Sequence, residues 1–137
     1  MWEILTRWAG NRGEVATEWR FYFLPEGDPP SSLVPDVAYV SFDRMPLELG
    51  EWREEPTIAP DIAVEVISPY ERRTRREVRT GMYVGFGSAL VVVIDPKRGT
   101  IEMHEAAGTK TFRKPDVARC AIYPDLAIDT SALFRGM

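Results

Sequence analysis

The stretch APDIAVEVISPYERRTRREV, residues 59–78, decides the fold. Its first half alternates as an extended chain does: Ile62, Val64 and Val66 face one way, and Asp61, Ala63, Glu65 and Ile67 the other. A strand is therefore predicted over 61–67. In Ser68-Pro69-Tyr70-Glu71 the serine suits a helix N-cap, the proline the first helical position, and the glutamate can bond back to the cap's own N–H. The helix is predicted to begin there, to run through ERRTRREVRTGMYV (71–84), and to stop near Gly85 and Gly87. ALVVVIDP, 89–96, is then a nearly continuous apolar run of the kind buried on both faces of a sheet. Strand, helix and strand make a right-handed crossover, so the two strands should be parallel.

Outward from this unit, Trp2, Leu5 and Trp8 of WEILTRWA share one side of a short helix, ended by Gly10 and Gly13. EWRFYFL (18–24) and LVPDVAYVSF (33–42) read as strands around a turn in PEGDPPSS, and 44–60 is a looser, charged connection. After the PKRG turn, TIEMHEA (100–106) and TFRK (111–114) read as an antiparallel hairpin, and IYPDLAIDTSALF supplies an apolar tail. The order is helix, three strands, helix, strand, hairpin: an α/β fold with a mixed sheet.

At 137 residues, one domain spanning 1–137 is expected. No run of eighteen apolar residues suggests a membrane span, and the early charges do not suit a secretory leader. A soluble, cytoplasmic protein is expected. One cysteine, Cys120, and one histidine, His104, exclude an internal disulfide and a classical zinc site. A formal net charge of −4 argues against general polyanion binding but is compatible with a local basic face. Cys120 reads as a small buried group, His104 as a solvated strand residue, the tryptophans as packing residues, and Asp95 and Asp125 as turn formers.

The two carboxylates of the opening stretch differ. Four strand residues separate them by about 13 Å, too far to share one ion. Asp61, after Pro60, reads as a solvated turn residue. Glu65 lies mid-strand between valines, where an ionised carboxylate costs several kcal/mol unless it is paired. An arginine partner would make it structural. A divalent cation shared with Asp36, at the head of the 33–42 strand, would make it functional, and two oxygen ligands plus water suit Mg²⁺. Both readings stay open on spacing alone.

Between Pro69 and Thr80 stand five arginines and two glutamates. Arg72, Arg75, Arg76 and Arg79 share one broad helical face that could track nucleic-acid phosphates. Equally, Glu71 with Arg75 and Arg73 with Glu77 could make ordinary pairs on a solvated helix.

Pro35-Asp36, followed after a spacer by Glu65-Val66-Ile67, resembles the PD-(D/E)xK nuclease superfamily. PDVAYVS, APDIAVEVISP, the arginine-rich helix reaching Tyr83, VVVIDPKRGTIEMHE and PDLAIDTSALF are similar to its branch of Uma-two-type bacterial endonucleases, over about residues 14–134. The resemblance implies a restriction-endonuclease-like core of helix, three strands, helix and strand, with an N-terminus shortened relative to the family. It implies that Asp36 and Glu65 hold Mg²⁺ or Mn²⁺, helped by the Val66 carbonyl, and that DNA is the substrate. The superfamily's lysine, two residues after the glutamate, is Ile67 here. In this branch the lysine stands four residues before a tyrosine, and counting back from Tyr83 gives Arg79. Arginine keeps its proton, so Arg79 could steady developing charge or orient water but not act as a general base. A catalytically silent protein that binds nucleic acid or self-associates is the alternative. A homodimer, with Trp2 and Trp52 at the contact, is a further expectation from the resemblance.

Overall fold

Trp2–Ala9 forms the expected first helix, α1, in the computed structural model, which describes residues 1–23 and 31–137. Leu5 and Ala9 point into the core and Trp2 does not. Gly10, at φ 56°, ends the helix in a conformation that disfavours other residues.

The chain then differs from expectation. Gly13 opens a strand, β1 (Gly13–Ala16), paired antiparallel with β4 (Val37–Ser41). The aromatic segment is shorter than predicted and lies outside the main sheet: β2 (Phe21–Phe23) pairs only with β3 (Ser31–Leu33). Its alternation is genuine, because Phe21 and Phe23 are buried while Tyr22 is half-exposed. The place beside β4 at the edge of the main sheet is taken by β1. The turn expected at 25–32 falls mostly on residues 24–30, outside the described residues.

β5 (Ile62–Val66) pairs antiparallel with β4 and parallel with β6 (Leu90–Asp95), so the two strands joined through α2 (Arg73–Gly85) are parallel as predicted. β7 (Thr100–Glu105) and β8 (Gly108–Arg113) form the hairpin, giving the order β1-β4-β5-β6-β7-β8. β9 (Val117–Arg119) pairs with β10 (Ala127–Asp129), and α3 (Thr130–Arg135) closes the chain. Asp129 caps α3 by accepting the Ala132 N–H. The connection at 44–60 contains short 3₁₀ turns over Leu47–Glu54.

Two layers of side chains sandwich the sheet. On one face Ile62, Val64, Leu90, Val92 and Ile94 pack against α1, α3 and the β9–β10 pair. On the other, Ala38, Val40, Ala63, Val91 and Val93 pack beneath β2 and Tyr83 of α2. Each fully buried aliphatic side chain contributes about 1.5–3 kcal/mol, which pins β5 and β6 at the centre and fixes their register. Cys120 is buried as expected. Trp8 meets Tyr39 and Tyr123 edge-on, both at 5.0 Å, and its indole N–H donates to Asp125, which binds α1 to the C-terminal segment.

The predicted start of α2 is four residues early. Ser68 to Glu71 form a turn, with the Glu71 N–H donating to the Ser68 carbonyl, and the helix begins at Arg73 with Arg72 as an N-cap that makes no side-chain bond. The capping box is not used because the Glu71 carboxylate is engaged elsewhere. Asp61 also departs from its reading as a solvated residue. It accepts the Ser41 N–H at 2.8 Å and pairs with Arg44 at 3.0 Å, fastening the start of β5 to the end of β4.

Candidate active site

Glu65 stands on the face of β5 that looks toward α2, together with Ala63 and Ile67. It is 7% exposed. The Tyr83 hydroxyl donates to its Oε1 at 3.0 Å, and Nε of Arg79 lies 3.7 Å from the same oxygen. Tyr83 and Arg79 sit one helical turn apart on α2, so one face of that helix delivers both groups. The Tyr83 ring is fully buried, edge-on to Phe23 at 6.1 Å, which fixes where its hydroxyl points.

Burial pushes the Glu65 carboxyl up to about 7, against the opposing pull of Arg79 and the Tyr83 hydroxyl, and the charges of Asp36 and Glu71 push the same way as burial. Burial, followed by the Glu65 charge, raises the Tyr83 phenol in turn. The carboxylate is thus only partly compensated by its neighbours.

Asp36 lies immediately before β4. Its N–H donates to the Val64 carbonyl at 2.9 Å, and its Oδ2 accepts the Val66 N–H at 2.6 Å. Asp36 therefore bonds to both chain neighbours of Glu65. It directly precedes β4, and its charge is felt by the Glu65 carboxyl, so the two acids are neighbours. Oδ1 of Asp36 and Oε2 of Glu65 make no hydrogen bond among the described residues.

Arg79 is clamped. Its Nη2 donates to Oε2 of Glu71 at 2.9 Å, and its Nη1 to Oε1 of the same carboxylate. That bidentate pair holds the Glu71 carboxyl below its ordinary range, the hydrogen bond from Arg79 outweighing desolvation. The Glu71–Arg75 pair expected on the helix is consequently absent, while Arg73–Glu77 forms at 3.0 Å. Glu71 and Tyr83 were not singled out as site residues from sequence. The Arg79–Tyr83 spacing was a signal for the tyrosine, but Glu71 was masked by its fit to a capping box.

Among the other predicted residues, Arg72 and Arg75 are exposed, and Arg76 is half-buried beside the sheet. None of the three has a carboxylate partner among the described residues. His104, expected to be solvated, is instead held between Glu102 at 3.0 Å and Thr109 at 3.1 Å.

The donor set fits a divalent cation in chemistry: two neighbouring carboxylates, each with an oxygen to spare, one of them buried and short of positive charge. Among the described residues no three Asp, Glu, His or Cys side chains gather as a metal cage, so such an ion would complete its shell with backbone oxygen and water.

The sequence model of the Uma2 family, described as "Putative restriction endonuclease", matches residues 1–130. Among solved structures, the chain is similar to "a putative nuclease belonging to DUF820" from Anabaena variabilis. The TM-score is 0.82 at 24% identity, over 98% of this chain and 75% of that one. At that identity the likeness carries the fold alone. No curated protein matches the chain.

Proposed function

The chain belongs to the Uma2 family, and from that premise we propose that it is an endonuclease that hydrolyses DNA phosphodiester bonds with Mg²⁺ or Mn²⁺ held by Asp36 and Glu65. The observation that carries this reading is the bonding of Asp36 to the backbone of residues 64 and 66, on either side of Glu65, whose buried carboxylate is under-compensated and feels the Asp36 charge. When bound, the cation would polarise the scissile phosphate and supply hydroxide at neutral pH.

The remaining roles belong to side chains. The Tyr83 hydroxyl orients Glu65 through Oε1 and leaves Oε2 available to a ligand. Glu71 fixes the Arg79 guanidinium, whose Nε faces Glu65. A guanidinium so placed stays charged throughout and can neutralise a phosphoryl oxygen or orient a water, but it does not take the water's proton. That proton goes to solvent or to the substrate, so hydrolysis is expected to be slow. Arg72, Arg75 and Arg76, on the same helix, would contact flanking phosphates.

A second reading, a nuclease fold that binds nucleic acid without cutting it, is favoured by one specific feature. Arg79 stands at the lysine's position and is doubly bonded to Glu71. Incubation of the purified protein with supercoiled plasmid decides between them. Nicking that requires Mg²⁺ or Mn²⁺ and vanishes in Glu65→Ala supports hydrolysis; identical behaviour of wild type and variant removes it. Linear product without prior nicking would indicate two copies acting together, the homodimer expected from the resemblance, whereas single nicks need one.

A further inference from the structure

A polar trough of about 340 Å³ opens beside the candidate active site. One wall is α2, with Arg73 and Arg76; the other is the β6–β7 turn and the hairpin, with Arg98, Thr100, Thr111 and Arg113. Its inner end reaches Ile67 and Glu71, the residue that holds Arg79 against Glu65. A second compartment, of about 520 Å³, shares Arg73, Arg76 and Glu102 with the first, so the depression continues along α2 beyond the size of a single small anion.

The charges in the trough do not cancel. Of its three carboxylates, Glu71 pairs with Arg79 and Asp95 with the backbone N–H and guanidinium of Arg98, while Glu102 bonds only to the His104 ring and keeps its charge. Arg76 and Arg113 come from different elements and have no carboxylate partner among the described residues. With only the Glu102 carboxylate to offset these two guanidiniums, the trough keeps an excess of positive charge that an anion lying between them would balance. Two threonine hydroxyls beside them add neutral donors suited to phosphate oxygens.

We propose that this trough, anchored by Arg76 of α2 and Arg113 of β8, holds the phosphate backbone of the nucleic-acid strand entering the site. This rests on the nuclease reading but assigns binding to the hairpin as well as to the helix. Arg98 is a weaker contributor, because Asp95 shares its charge.

The test uses the whole protein and a short fluorescein-labelled DNA duplex in EDTA, followed by anisotropy across a salt series. Arg76→Ala combined with Arg113→Ala should weaken binding roughly tenfold or more and flatten the slope of log K against log salt by about 1 to 2. Arg7→Ala, on α1 across the sheet, makes half that charge change and should leave the duplex bound as before. Arg113→Lys should retain most of the affinity, since phosphate accepts a point charge. Glu65→Gln should bind normally in EDTA even where cleavage is lost, which separates failure of the trough from failure of the catalytic reading. The proposal is overturned if wild type does not bind, if the double variant matches wild type, if Arg7→Ala weakens binding as much, or if poly-L-glutamate displaces the duplex as readily as unlabelled DNA does.

Discussion

The guanidinium of Arg79 is bound through both its Nη atoms to Glu71, eight residues earlier, while its Nε stands 3.7 Å from Oε1 of Glu65. One cation thus serves two carboxylates at the position where the resemblance implies a lysine. A lysine there could not reproduce the fork on Glu71, and its amine, unlike a guanidinium, can lose a proton. Arg79→Lys is expected to raise metal-dependent nicking about tenfold, equivalent to ~1.4 kcal/mol of barrier. The rate of supercoiled plasmid loss measures it. A variant slower than wild type would mean that the arginine itself contributes to the reaction.

Glu65 gives the fold an unusual pH dependence. Its carboxyl is raised to about 7 in the folded chain, against an ordinary 4.5. Below pH 4.5 both states carry the proton and Glu65 contributes no pH dependence. Between these values the folded chain keeps a proton that the unfolded chain releases, so stability falls as pH rises, and above about 7 the full cost remains. At about 1.4 kcal/mol per pH unit the ceiling on that cost is about 3 kcal/mol. Glu65→Gln, which keeps an acceptor for Tyr83, should match wild type near pH 4.5 and exceed it at pH 8, as read from urea midpoints. Mg²⁺ should flatten the wild-type slope. Parallel profiles for wild type and variant would show that burial does not govern this carboxylate.

The parts legible in the sequence were those set by repeating local patterns. The alternation in 61–67 and the apolar run after it identified β5, β6 and their parallel crossover, because side-chain burial alone dictates them. That Asp36 lies beside residue 65 follows from strand order, whereas their sharing a cation rests on the resemblance and is part of the proposal. What failed were choices between partners of similar strength. Glu71 suited a capping box as well as an ion pair, and the bidentate contact with Arg79 won. Phe21 and Phe23 suited a sheet strand, but a two-stranded hairpin buries them equally well. Nothing local to Gly13 indicated that the backbone there approaches β4.

That approach makes Gly13 a sensitive position. A Cβ at residue 13 would overlap the Val40 carbonyl oxygen and the Tyr39 ring, and would stand 2.9 Å from the Ser41 Cα. Backbone cannot move aside as a side-chain tip can. Gly13→Ala is expected to cost about 1–3 kcal/mol through overpacking, lowering the urea midpoint without changing its slope. An unchanged midpoint would mean that β1 can leave β4 freely, and that the sheet edge is looser than its pairing implies.

Under the hydrolytic reading Asp36 would have two separable duties, since its Oδ2 accepts the Val66 N–H at 2.6 Å and Oδ1 would be left for the cation. Asparagine keeps an oxygen for the backbone bond and removes the charge that a cation needs; alanine removes both. The urea midpoint of Asp36→Asn should therefore stay near wild type, while Asp36→Ala should lose about 1 kcal/mol with the hydrogen bond. Mn²⁺ should raise the melting temperature of wild type and of neither variant, because binding to the folded state alone is what stabilises it. If Mn²⁺ still protects Asp36→Asn, the aspartate is a clamp between β4 and β5 and nothing more. The cation would then have to rely on Glu65 and backbone oxygens, a set too weakly charged to select Mg²⁺ against water, and the hydrolytic reading would fail with it.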